Sequence, residues 1–153
     1  MLKLATLIYV QDRINNKTLM LLRNKKENDI HRNKWNGLWW KLEIEESPDN
    51  CCRRELEEES GLIAKDIELK WILTAPNFTP EHDRYIFIYN VYSWTWVIKE
   101  CDEWELQRID TDKLLDLNLW EGDKYFIPLL NKDWVFHITA RYKNWKLDNH
   151  KIN

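Results

Sequence analysis

Glycine is nearly missing from this chain: 3 in 153 residues, against 10 tryptophans. Average usage of about 7% predicts roughly ten or eleven glycines at this length. Glycine supplies the left-handed backbone that tight turns need, so a turn-rich fold with so few is hard to build. Cysteine is also scarce. Cys51, Cys52 and Cys101 are odd in number, and two are adjacent. That pattern is a poor disulfide framework and shows no Cys/His zinc spacing, and it points to a reducing cytoplasm. No apolar run approaches the roughly 18–20 residues of a membrane span. The opening MLKLATLIYV is apolar but short and alternating. It lacks the small-residue cleavage site of a signal peptide and reads as a strand. Charge of one sign is lacking too: 23 basic and 26 acidic residues leave a net charge of -3. A general binder of nucleic-acid polymers would carry a basic excess, so neither a polymer nor a membrane is an expected partner.

What is present suffices for a core. Hydrophobic residues make up 44% of the chain, and its length fits one domain spanning residues 1–153. Residues 3–10 and 18–23 read as strands around a polar turn, followed by a polar loop over 24–36 and a short irregular stretch over 38–46. Ser47-Pro48-Asp49 is a helix start, with Ser as N-cap, Pro at the first helical position and Asp in the first turn. The helix runs to about Ser60, with Gly61 as its C-cap. Residues 67–75, 84–93 and 105–109 read as strands. The segment from Thr111 to Leu117 reads as a short helix, 120–131 as helical, and 134–142 as a closing strand. Strands and helices mix without a regular βαβ rhythm, which predicts an α+β or sandwich layout.

The chemistry concentrates on the helix. In Arg54-Glu55-Leu56-Glu57-Glu58-Glu59-Ser60-Gly61-Leu62, Glu55, Glu58 and Glu59 stand at i, i+3 and i+4 and share one face. Glu-rich helices are ordinarily solvated faces. Three carboxylates on one face repel each other unless cations occupy the gap, and Mg²⁺ takes such oxygen ligands beside phosphates. Arg54 can pair with Glu58 one turn on.

The context of this run resembles the Nudix signature: Gly, five residues, Glu, seven residues, then Arg-Glu-apolar-any-Glu-Glu-any-Gly-apolar. Glu46 and Arg54 to Leu62 fit at that spacing, and Lys41 and Glu43 sit where MutT-like members place them. LATLIYV, LLRNKKENDIH, KWNGL, NFTPEHDRY, CDE and LWEGDKYFIPLL extend the likeness to nearly the whole chain, within the MutT-like, 8-oxo-dGTP diphosphatase branch. The resemblance implies an α/β/α sandwich with a mixed sheet and a loop-helix-loop motif. It implies Mg²⁺, or Mn²⁺ in its place, held by Glu55, Glu58, Glu59, the loop residue Glu103 and the backbone carbonyl of Trp39. Glu55, Glu58 and Arg54 form the implied catalytic set, with Glu55, Glu58 and Glu103 all open as the general base. Asn36, Trp120 and Asp123 match residues that hold a purine. Lys41 and Arg23 join the substrate-binding set. Lys25, Lys26 and Arg23 offer charge that would attract phosphates, but a solvated basic loop is the plainer reading of them. The implied reaction is attack of water on a nucleoside triphosphate, giving a monophosphate and pyrophosphate in cleansing of the nucleotide pool. The expected partner is a small nucleotide, and the protein a monomer or homodimer. Two other readings remain: a Nudix hydrolase of dinucleoside polyphosphates, nucleoside-diphosphate sugars or capped RNA ends, and an inactive binding module.

The inactive reading comes from departures. Trp39 and Trp40 stand where the family has glycines, the second being the opening Gly of the signature, and Glu45 stands where it has another. Tryptophan there is expected to resist positive φ and crowd a phosphate loop. Trp71, Trp94, Trp96, Trp104 and Trp145 also lie where glycine is expected, the Ser93–Trp96 and Asn144–Lys146 stretches reading as turns between strands. Glycine at all seven positions, encoded by a codon that other genetic codes read as tryptophan, would restore an ordinary glycine content. Glu45 is outside that explanation.

Overall fold

A computed structural model describes residues 1–24, 32–79, 81–95, 105–144 and 146–153. The described strands are β1 (Leu2–Asp12), β2 (Lys17–Leu22), β3 (Trp35–Asn36), β4 (Leu38–Lys41), β5 (Ala64–Thr79), β6 (His82–Trp94), β7 (Glu105–Asp110), β8 (Phe136–Lys143) and β9 (Lys146–Ile152). Two α-helices, α1 (Pro48–Ser60) and α2 (Asp123–Phe126), and 3₁₀ turns at Thr111–Asp116 and Ile127–Leu129 complete the elements. All strands belong to one mixed sheet in the order β3-β2-β1-β6-β5-β8-β9, with β4 also on β1 and β7 also on β2. β1 lies parallel to β6, and β5 to β8; the other pairs are antiparallel.

β1 shows how the layers form. Its side chains alternate between faces, and both faces are buried. Leu7 and Tyr9 enter one core with Met20, Trp71, Phe126, Leu130 and Ile138. Ile8 and Val10 enter the other with Leu19, Leu38, Cys52, Leu56 and Val91. The second core lies under α1, and the first under α2 and its 3₁₀ turns. This is the α+β sandwich expected, with a helical layer on each side of the sheet.

Several elements differ from the expectation. Trp35–Asn36 and Leu38–Lys41 are strands, because β2 and β1 supply their hydrogen-bonding partners. Trp94 is not in a turn but ends β6 opposite Ala64. The helical stretch over 120–131 contracts to four α-helical residues and a 3₁₀ turn that takes in Pro128. A further strand, β9, follows the one read as closing, paired through Lys143 and Lys146. Among the described residues no helix is long and apolar enough to cross a membrane.

Candidate active site

α1 begins and ends as its sequence dictates. Ser47 Oγ accepts the Asn50 N–H at 3.2 Å, and Gly61, at φ 73°, donates its N–H to the Glu57 carbonyl. Cys51, Cys52, Leu56 and Ser60 are buried and fix the helix against the sheet. That orientation leaves Glu58 exposed and Glu59 half-buried, while Glu55 is buried at 8% exposure.

Arg54 is the hub of this ridge. Its Nε and Nη2 donate to the two oxygens of Glu46 at 2.7 and 2.8 Å, a bidentate pair of the strong kind. Its Nη1 donates to Glu55 and, at 3.1 Å, to Glu58, and it stands 4.0 Å from Glu43. The expected Arg54–Glu58 pair is therefore present, but Glu46 holds the arginine more closely. Hydrogen bonding from Arg54 lowers the Glu46 carboxyl to about 2. Burial raises Glu55, with Arg54 opposing and the neighbouring Glu58 adding to the rise.

One guanidinium faces four carboxylates here. The excess negative charge and the all-oxygen donor set suit a hard divalent cation. Among the described residues no three acidic, His or Cys side chains are arranged to hold a metal ion; Glu46, Glu55 and Glu58 are instead hydrogen-bonded to Arg54. Glu103, Lys25 and Lys26 lie outside the described residues.

A cavity opens on the opposite face of the sheet, lined by Arg23, Asn36, Trp39, Trp120 and Asp123, with Phe78, Arg84 and Tyr142. Four substrate residues read from sequence thus meet in one place. Asn36 arrives on β3 opposite Leu21. The turn after it sits tight on β1: a Cβ at Gly37 would lie 2.7 Å from the Ile8 carbonyl oxygen. Lys34 stands 5.4 Å above the Trp120 ring, and the Asp123 N–H donates to the Trp120 carbonyl at 3.1 Å. Asp123 is buried, and its Oδ2 has no hydrogen-bond partner among the described residues. Burial, partly offset by Lys34, raises its carboxyl to about 7. Lys41 does not join the lining; it is exposed at the end of β4.

β4 links the two halves. Trp39 and Trp40 line the cavity, and the chain then runs into the Glu43–Glu46 turn that grips Arg54. Trp39 and Trp40 pair with Leu7 and Thr6 on β1, and neither has positive φ. The feared backbone conflict does not arise at these residues. It falls instead on Glu45, at φ 65°.

Three lining residues escaped the sequence reading. Arg84 lies between the rings of Phe78 and Trp39, 4.2 and 5.1 Å from their centroids. Its Nε has no hydrogen-bond partner among the described residues, and burial lowers its pKa. Alternation carried the signal: Arg84, Ile86 and Ile88 share a face of β6, so an arginine stands in line with core residues. Tyr142 follows Ile138 and Ala140 on β8 in the same way. Phe78 had no comparable pattern, because it sits beside the irregular pairing between Ala75 and Thr79.

A family model of the NUDIX domain matches residues 1–130. An oxidized purine nucleoside triphosphate hydrolase of Danio rerio is 26% identical over 110 residues, covering 72% of this chain and 70% of that protein. A MutT protein from Bacillus halodurans superposes with a TM-score of 0.86 at 24% identity, over 99% of this chain and 97% of that one. A MutT protein from Methanosarcina mazei Go1 gives 0.69 at 17% identity, over 86% and 94%. At these identities the structures speak to the fold alone.

Proposed function

The chain belongs to the Nudix family and is a hydrolase of MutT-like kind, and we propose that it is a Mg²⁺-dependent pyrophosphohydrolase of purine nucleoside triphosphates, acting on oxidised dGTP. One observation carries the substrate reading. The cavity offers an indole face in Trp120, an amide in Asn36 and a buried carboxyl in Asp123 near 7. At neutral pH that carboxyl is available both as donor and as acceptor. Oxidation at C8 turns N7 of guanine from an acceptor into an N–H donor, and the ionised form of that carboxyl accepts from the N–H while it has nothing to donate to the N7 of unoxidised guanine. The named activity of the Danio rerio relative supports the same class.

The chemistry follows from the ridge. Water attacks a phosphorus of the triphosphate, a phosphorus–oxygen bond breaks, and a monophosphate and pyrophosphate leave. Glu55, Glu58 and Glu59, with Glu103 as a further acidic ligand and the Trp39 carbonyl, would hold the metal, which when bound neutralises phosphate oxygens and acidifies the attacking water. One of the ridge glutamates takes the water proton. Arg54 keeps Glu55 and Glu58 together, and Glu46 keeps Arg54 in place. Arg23 and Arg84 supply positive charge along the cavity.

The deciding assay is pyrophosphate release with Mg²⁺ from 8-oxo-dGTP, dGTP, dATP and ADP-ribose. Preference for 8-oxo-dGTP is expected. Cleavage of ADP-ribose alone would move the substrate to another Nudix class, and no turnover of any would remove the enzymatic reading.

A further inference from the structure

Tyr142 reaches the cavity from β8, beyond the residues that the family model matches. It continues a buried row on that strand, where Ile138 and Ala140 are fully enclosed. Its ring meets Phe78 edge-on at 5.2 Å, so the phenol is held from the side, and its oxygen lies against Gly122. A Cβ built on Gly122 would stand 2.4 Å from the Tyr142 oxygen but 3.7 Å from its Cζ. The Gly122 backbone is ordinary helical, at φ −62° and ψ −33°, which any residue adopts. The tyrosine oxygen, not the backbone, therefore requires glycine there. Gly122 directly precedes Asp123, so the phenol oxygen packs against the backbone of the turn that carries the carboxyl.

We propose that Tyr142 is a positioning residue of the purine pocket: its hydroxyl, seated on the Gly122 backbone, holds the turn from which Trp120 and Asp123 meet the base. The C-terminal strand pair is thereby part of the substrate site. The inference rests on the purine-triphosphate reading. Asp123 is faced by Tyr9 from β1, Lys34 ahead of β3 and Tyr142 from β8, with Arg23 and Arg84 along the same cavity. Burial pushes both phenols up, so they stay protonated while Asp123 titrates. Removing the Tyr142 hydroxyl loosens the turn and admits water to the Asp123 carboxyl, which lowers its pKa.

A double-mutant cycle tests this, using Tyr142→Phe, Gly122→Ala and the pair, with 8-oxo-dGTP and dGTP as substrates across neutral pH and thermal unfolding alongside. Tyr142→Phe should raise KM for 8-oxo-dGTP about fivefold or more with kcat within about twofold, and move the pH midpoint of KM downward. Gly122→Ala should raise KM similarly and lower Tm. In the pair the added Cβ meets only the ring edge at 3.7 Å, so Tm should recover and the losses should not add. An unchanged KM and pH midpoint in Tyr142→Phe overturns the proposal, as does strict additivity of the two changes. A wild-type enzyme that hydrolyses neither nucleotide would remove the purine reading instead, while the unfolding cycle would still decide whether the hydroxyl is seated on Gly122.

Discussion

Asp123 shows what a single residue's surroundings do to its chemistry. Its folded pKa of about 7 exceeds the ordinary 3.8 because burial penalises the charge. Below the ordinary value both folded and unfolded chains hold the proton. As pH rises from about 4 toward 7 the unfolded chain releases it first, so stability falls across that window and levels above it. At about 1.4 kcal/mol per pKa unit, the loss is capped at roughly 4 kcal/mol. Asp123→Asn removes the titration. We expect its Tm to exceed the wild type's at pH 8, the gain fading toward pH 4, with loss of preference for 8-oxo-dGTP over dGTP. A constant Tm difference across that range would show that the carboxyl does not titrate as argued. The ridge carries the opposite prediction. Glu58→Gln or Glu59→Gln should cut turnover by at least about a hundredfold, while Tm changes little because Glu58 is exposed and Glu59 only half-buried. Near-wild-type pyrophosphate release in either variant would displace it from the metal set. Residue types and spacing made Glu55, Glu58, Glu59 and Arg54 legible. They could not show that Arg54 is held first by Glu46, because that contact depends on how the turn before α1 folds back.

At the scale of elements, legibility followed locality. The start and end of α1 lie within its own sequence, in Ser47-Pro48-Asp49 and Gly61, and the structure has the cap and the left-handed C-terminus there. β3 and β4 are too short to announce themselves and exist because β2 and β1 offer them edges. The contraction of 120–131 is similar: its apolar spacing is helical, but Pro128 lacks the N–H that an α-helix interior uses. The turn between β4 and α1 holds a cost that can be measured. Glu45 is exposed and lies at φ 65°, where a side chain is disfavoured by roughly 1–2 kcal/mol. Glycine gains more freedom in the unfolded chain, which returns part of that. Glu45→Gly should therefore raise stability by about 0.5–1 kcal/mol in denaturant unfolding. A loss of stability would mean that the Glu45 side chain makes a contribution the backbone argument omits.

The whole molecule was legible in outline, since alternating strands around one capped helix already indicate a mixed sandwich, but the composition sets a question only the assembled fold can pose. Trp71, one of the seven tryptophans at expected glycine positions, is fully buried and stacks on Phe136 at 4.5 Å. Its indole N–H has no hydrogen-bond partner among the described residues, a deficit of about 1–3 kcal/mol. It also sits at a register shift between β5 and β6, where glycine is common. Asn144, at φ 51°, opens the connection from β8 to β9, and in two-residue hairpins of that kind the second position favours glycine. Tryptophan in a core and glycine in a core make opposite predictions. If tryptophan belongs at position 71, Trp71→Gly opens a cavity beside Phe126 and Phe136 and should cost about 4 kcal/mol or more. If glycine belongs there, the variant with glycine at 39, 40, 71, 94, 96, 104 and 145 should unfold at an equal or higher temperature and hydrolyse 8-oxo-dGTP faster. We expect the second outcome, because it accounts at once for the glycine deficit, the orphaned indole and the two tryptophans at the head of the signature. Collapse of the seven-glycine chain, with the tryptophan chain stable and active, would assign the seven side chains to the native core and pocket.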